Sequence, residues 1–388
     1  MTRMKRRLFF LALPLAAALS VTCAQGAAEI PVGQIVDVTC AADDSQSYAV
    51  YVPSNYKPDH EWKLILAFDA GARGRQGVER FQAAAEKYGY IVAGSNNSRN
   101  GSWDVSMTAA DTMATDVLKR FKIDWHHMYT TGQSGGARVA MKVAMESGNI
   151  AGVIASSAGF PDPSEPESML NFPVYGTAGT EDFNYLEMRS FDNLLTSPHH
   201  VEIFEGTHTW LSSELAMRAI EWMELEAMKA DISPRNPAFV KTILDKRLAE
   251  ANALKTDFAR YRALNAIVID FGKLADVSAI EAQANELKKH KDIEEAAKAD
   301  GKILQTEENT TRDLYDAVRN YVDSPTGGIK DLRNRVIKLF EQAQASGDSD
   351  QRRLARRVLA GLRAGSRGID DKDYQKLIAE IQPAPRPQ

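Results

Sequence analysis

His127-Met128-Tyr129-Thr130-Thr131-Gly132-Gln133-Ser134-Gly135-Gly136-Ala137-Arg138-Val139-Ala140-Met141 is the stretch whose reading settles the fold. A strand-like run leads into Gly-x-Ser-x-Gly, and a run of good helix formers, continuing to Met145, leads out of it. A strand that turns so sharply into a helix holds its apex residue in strained backbone geometry. The flanking glycines are needed because a Cβ there would strike the neighbouring strand or helix. The apex side chain projects into the space above the sheet, with the positive end of a helix dipole behind it. Ser134 is therefore the candidate nucleophile.

Outward from that stretch, strand and helix signals alternate between about Gln34 and Met228. Val36–Thr39 and Tyr48–Pro53 read as an opening antiparallel pair. Lys63–Phe68 is nearly continuously apolar, as a strand buried on both faces requires. A helix over Val78–Tyr88, a strand over Ile91–Gly94 and a helix over Asp111–Phe121 lead back to the elbow strand. Further strands fall at Val153–Ala158, Pro173–Gly176 and Val201–Phe204, and a helix at Glu214–Met228 closes the run. This alternation predicts an α/β class: a doubly wound, mostly parallel sheet covered on both faces.

Beyond Asp231 the composition changes. Ser233-Pro234-Arg235-Asn236-Pro237 reads as a linker. From Ala238 to Ile381 apolar residues recur at helical spacing, as in Phe239, Ile243, Leu244 and Leu248. Breaks fall at Pro325–Gly328, Ser346–Asp348 and Gly365–Gly368. The run predicts an all-α C-terminal domain that resembles a tetratricopeptide-like array without a clean 34-residue repeat, or else a plain helical bundle. The expected domains are a signal peptide over 1–28, a catalytic domain over 29–232 and a helical domain over 238–382.

Residues 1–28 carry Arg3, Lys5, Arg6 and Arg7, then the apolar run Leu8–Leu19, then small residues around Ala24–Ala28. That is the pattern of an export signal, and the run is too short to span a bilayer. The protein is expected to be periplasmic or secreted, with lipid attachment at Cys23 as the alternative. Only Cys40 would then remain, so stability must come from the core rather than an internal disulfide. A hydrophobic content of 44% and a charged content of 26% describe a globular chain. A net charge of −5 offers no overall basic field for nucleic acid.

A serine needs a base, and the base needs an acid to fix its tautomer. In a doubly wound sheet the chemistry sits at the carboxyl ends of the strands. His208 follows the strand Val201–Phe204 in Gly206-Thr207-His208-Thr209-Trp210 and is the candidate base. His199 and His200 precede that strand, and His290 lies in a charged helix. The acid should follow Pro173–Gly176, where Asp182 is the candidate and Glu181 the reserve; Asp162 and Asp192 are weaker. Oxyanion donors are expected from the backbone of Gly135 and of Ala70 or Gly71, in the loop after Lys63–Phe68. Asn97, Arg99 and Trp103, in the loop after Ile91–Gly94, and Trp210 are candidates for holding substrate. Arg73, Arg75 and Arg99 could favour an anionic acyl group or could be solvated charge. No metal-ligand spacing, phosphate loop or dinucleotide fingerprint is present, so no cofactor is expected, and the adjacent His126-His127 point to opposite strand faces.

The stretch from Tyr51 to Met228 resembles the α/β-hydrolase superfamily. It is most similar to the secreted poly(3-hydroxybutyrate) depolymerase and feruloyl-esterase-like branch, in Gly132–Ala137, Thr177–Asp182 and Gly206–Trp210. The resemblance implies an ester hydrolase with Ser134 as nucleophile, Asp182 as acid and His208 as base. Those enzymes usually have His-Gly after the third strand, where this chain has Asp69-Ala70-Gly71. The alternative expectation is a catalytically weak hydrolase-like scaffold whose helical domain binds a protein partner.

Overall fold

The computed structural model describes residues 30–381. The leader read at 1–28, Cys23 within it, and the proline-rich tail after Ile381 lie outside the described residues.

Eight strands form one sheet, in the order β1-β2-β4-β3-β5-β6-β7-β8. They are β1 (Ile35–Cys40), β2 (Asp43–Tyr51), β3 (Trp62–Asp69), β4 (Tyr90–Ser95), β5 (Ile123–Gln133), β6 (Gly152–Ser156), β7 (Val174–Gly179) and β8 (His199–Phe204). β1 pairs antiparallel with β2, and β2 antiparallel with β4; β4, β3, β5, β6 and β7 then run parallel. The central strands are buried on both faces, which explains their unbroken apolar runs; Leu64, Ile65, Ala67 and Phe68 of β3 have no exposed surface.

The crossover helices are α1 (Gly74–Tyr88), α2 (Trp103–Arg120), α3 (Gly135–Ser147), α4 (Tyr185–Leu194) and α5 (Ser213–Lys229). α2 begins eight residues before the expected Asp111. Its start is set by Ser102, whose hydroxyl accepts from the N–H of Asp104 at 3.2 Å. The first turn, Trp103-Asp104-Val105, is largely exposed and so lacks the apolar stripe that marks a helix in sequence.

Seven further helices follow: α6 (Pro237–Asn252), α7 (Asp257–Phe271), α8 (Ser278–Lys288), α9 (Lys291–Asp323), α10 (Pro325–Gln344), α11 (Asp350–Gly365) and α12 (Lys372–Glu380). Asn236 caps α6 and Pro237 takes its first position, where a missing N–H costs nothing. Of the three breaks read from sequence, Ser346–Asp348 falls between α10 and α11, and Gly365–Gly368 at the end of α11 and a short 3-10 turn over Ser366–Gly368. Pro325–Gly328 is instead helical, the first turn of α10, with only Ser324 between it and α9. Helix lengths run from 9 residues in α12 to 33 in α9, so the helices are not pairs of one size. Leu314, Val318 and Tyr321 of α9, Leu332 and Val336 of α10, Leu354, Val358 and Leu362 of α11 and Tyr374 and Leu377 of α12 share one apolar core.

The chain forms two compact units. The first holds the described residues up to Thr177 together with Phe191–Glu202 and Thr209–Ser233. The second holds Ala178–Ser190, Ile203–His208 and the described residues from Pro234 onward. The loop that leaves the carboxyl end of β7, and the first part of the loop after β8 as far as His208, therefore belong to the same unit as α6–α12.

Candidate active site

The elbow owes its shape to close backbone approach. A Cβ on Gly132 would collide with the backbone of Gly136, and one on Gly136 would stand 2.5 Å from the carbonyl carbon of Phe68 and nearer still to its oxygen. Only glycine fits either position. Between them Ser134 takes φ 56° and ψ −123°, a conformation that a non-glycine residue adopts only when its surroundings impose it. Its N–H donates to the carbonyl of Ser156 on β6 at 2.9 Å, which ties the apex to the sheet. Gly135 opens α3, in the first turn where helix N–H groups lack an intrahelical acceptor.

The strand order, with its antiparallel second strand and a strained serine between β5 and α3, decides the architecture. The fold is that of an α/β-hydrolase. No family model matches the chain, and no curated protein matches it. Solved structures do. The fluorophosphonate-binding serine hydrolase FphF of Staphylococcus aureus is similar over 50% of this chain and 99% of its own, at 16% identity and a TM-score of 0.41. The esterase of Pyrobaculum calidifontis covers 51% of this chain and 86% of its own, at 11% identity and a TM-score of 0.40. Est1E of Butyrivibrio proteoclasticus with bound ferulic acid covers 50% of this chain and 99% of its own, at 15% identity and a TM-score of 0.38.

In the second unit, the loops after β7 and β8 bring Asp182 and His208 together. His208 Nδ1 lies 2.7 Å from Asp182 Oδ1, and Asp182 is wholly buried. The same oxygen accepts the N–H of Asn184 at 2.8 Å, while Oδ2 is buried with no hydrogen-bond partner. Phe183 stacks on the imidazole, ring centroids 3.9 Å apart. A buried carboxylate on Nδ1 fixes the tautomer that leaves Nε2 free to accept a proton. Glu181 does not point at His208. Its carboxylate is held by Arg356 of α11 at 2.6 Å. Asp162 binds its own loop through Ser164, and Asp192 pairs with His199 at 3.8 Å.

The loop after β3 is organised by Asp69. Its buried carboxylate accepts from the N–H of Gly71 at 2.8 Å, from Arg73 Nε at 2.7 Å and from the indole of Trp210 at 2.7 Å. The N–H of Gly71 is thus already engaged in a hydrogen bond. Trp210 is buried, so its side chain locks the loop in place instead of facing substrate. Arg75 pairs with Asp37 at 2.8 Å.

Asn97 ties its loop to β2, accepting from Ser47 N–H at 2.8 Å and donating to the carbonyl of Ser45 at 3.0 Å. Arg99 is exposed. Trp103 is half exposed, lies under Lys142 at 5.3 Å, and with Met169 and Phe172 lines a cleft of about 470 Å³. His127 is engaged on both ring nitrogens, by Asp124 and Ser233.

Asn100 belongs to the loop after Ile91–Gly94 that the sequence offers as a substrate-binding loop, but nothing in the sequence singles it out. Its N–H donates to the carbonyl of Ala70 at 2.9 Å, and its Oδ1 occupies the place that a Cβ on Gly135 would take. The side-chain amide therefore lies beside the nucleophile. No motif signals it, because the contact joins this loop to the first residue of α3, 35 positions later.

Proposed function

We propose that the protein is a serine hydrolase of carboxylic esters. Ser134 attacks the ester carbonyl, and His208 takes the hydroxyl proton and returns it to the departing alcohol. Asp182 stabilises the imidazolium. The acyl-enzyme is then released by water through the same steps. The N–H of Gly135 supplies one oxyanion contact and the loop after β3, at Ala70, the other. The reading is carried by the buried Asp182–His208 pair, together with a serine strained onto an elbow in the same sheet. Export follows from the leader pattern at 1–28, and among the described residues no helix is long and apolar enough to cross a membrane.

A second reading, a scaffold with little catalysis whose helical region binds a protein, is favoured by one observation: the N–H of Gly71 is taken by Asp69. A fluorophosphonate probe separates the two readings, since it reacts only with an activated serine. The wild type should label, and Ser134→Ala should lose labelling and at least about 10³-fold in kcat while keeping its fold. Equal labelling of both proteins would sink the nucleophile assignment. A series of p-nitrophenyl esters of rising length, beside feruloyl esters and hydroxybutyrate oligomers, then gives the acyl class.

A further inference from the structure

We propose that helix α11 is the positioning frame of the acid–base pair, with Arg357 as the positioning residue that fixes Asp182 and, through it, His208. The inference rests on the triad reading above and deepens it.

Asp182 sits in the middle of a five-residue loop, and α11 touches the residues on both sides of it. Arg357 donates Nη1 to the carbonyl of Thr180 at 2.7 Å. Arg356, the preceding residue on the helix, holds Glu181. One turn further on, Gly361 lies against Phe183: a Cβ there would stand 3.6 Å from that of Phe183, whose ring stacks on His208. Tyr185 lies flat beneath the Arg357 guanidinium, 4.2 Å away. A turn of α11 earlier, Arg353 pairs with Glu205 at 3.0 Å, in the loop that carries the base. From α9, Asp300 binds Arg189 at 2.7 Å, and Arg189 in turn donates to the hydroxyl of Tyr185.

The chemistry of Arg357 distinguishes positioning from mere attachment. The side chain is buried, as is its partner Glu307 on α9, which it meets through two nitrogens, one at 2.8 Å. A buried ion pair is an uneconomical way to join two helices, since apolar residues of the same volume do that as well or better. An apolar residue cannot hold a backbone carbonyl. Only the arginine fork satisfies Glu307 and Thr180 together. Thr180 and Glu181 are also pinned from the other side, their N–H groups donating to Phe204 and Gly206. The loop is thus clamped between the end of β8 and α11, with the acid between the two grips.

The test uses the full chain with Arg357→Lys, Arg357→Met and Arg356→Gln. Lysine keeps the charge opposite Glu307 but cannot reach Thr180 as well. Arg357→Lys should remain folded, hold KM on a p-nitrophenyl ester within about twofold, and lose roughly 10- to 100-fold in kcat, the scale expected when a catalytic group shifts by a fraction of an ångström. The downfield proton resonance of the His208 Nδ1–H, bonded to Asp182, should weaken or shift in step; a purely structural role would move the melting temperature and leave both readouts alone. Arg357→Met leaves Glu307 buried and unpaired and is expected to fold poorly. If Arg357→Lys fails to fold too, Arg356→Gln decides, with a smaller fall in kcat at constant KM. Wild-type kcat and an unaltered resonance in the folded variants would overturn the proposal, as would the absence of that resonance from the wild type. Should the wild type hydrolyse no ester, the functional reading falls, and the resonance still decides the positioning.

Discussion

Gly136→Ala should cripple the protein, and Gly135→Ala one position earlier should leave its stability intact. The methyl group at 136 would meet backbone: 2.5 Å to the carbonyl carbon of Phe68 and 2.9 Å to the Cα of Asp69, with the Phe68 oxygen nearer still. Neither atom can swing away, because β3 is paired on both sides. To clear about 3 Å, α3 must lift from the sheet by at least about half an ångström, and overpacking of this kind costs about 3 kcal/mol. For a unit of about 200 residues that lowers the melting temperature by roughly 6–12 °C. The elbow moves with the helix, so a loss of about 10²-fold in kcat should accompany it. At 135 the methyl would meet the end of the Asn100 side chain, which is exposed and can rotate away. Gly135→Ala should shift the melting temperature by less than about 2 °C, since it also removes backbone freedom from the unfolded chain. Its kcat should fall if the Asn100 amide serves the site. Differential scanning calorimetry and ester kinetics on both variants check this. A Gly136→Ala protein with wild-type stability and rate would refute the close-approach account of the elbow.

Asp182→Asn keeps the shape of the acid but reverses its hydrogen bond to His208, and kcat should fall on the order of 10⁴-fold. Glu181→Gln should be mild, because a carboxamide can still accept from Arg356; the opposite ranking would make Glu181 the acid. Trp210→Phe removes one donor from the buried Asp69 carboxylate and should cost about 1–3 kcal/mol in urea unfolding, with Gly71 and Arg73 still in place; no measurable change would mean that water replaces the indole. Burial would raise the Asp300 carboxyl, but Arg189, and to a lesser degree Arg262, outweigh it and hold it below the ordinary value. The unfolded chain therefore takes up that proton more readily. The stabilisation is complete above the unfolded value of about 3.9 and is lost as pH falls through the lower folded value. Asp300→Asn should flatten that acid limb, read as urea midpoints between about pH 5 and about pH 3; an unchanged limb would exclude Asp300 as its source.

The elbow was legible because part of what makes it is local. Two glycines four apart stand between a strand run and a helix run, and a Cβ on the first would strike the backbone of the second, so that half of the constraint is readable from neighbouring residues. The other half, Gly136 against Phe68 and Asp69 of β3, comes from the sheet. The pairing of Asp182 with His208 was legible for a related reason, since each follows its strand at the carboxyl end. Asp69 was not. Its partner Trp210 lies 141 positions away, so the loop read as a departure from a motif when it is a hydrogen-bonded hub. The arginines of α11 were equally opaque. In sequence Arg353, Arg356 and Arg357 look like the solvated face of an amphipathic helix, and the carbonyl that Arg357 holds is 177 positions earlier. The start of α2 was missed because a cap, not an apolar stripe, defines it.

The grip of α11 on the loop before Asp182 also has a consequence in time. Arg357 leaves the ribosome 149 residues after His208. At about 5–20 residues per second the acid and base loops wait roughly 7–30 s for the helix that clamps them. On the positioning proposal, a nascent chain carries every catalytic side chain long before it can use them. Esterase activity would then appear only as the last helices fold, so a truncated or stalled product would be a silent hydrolase.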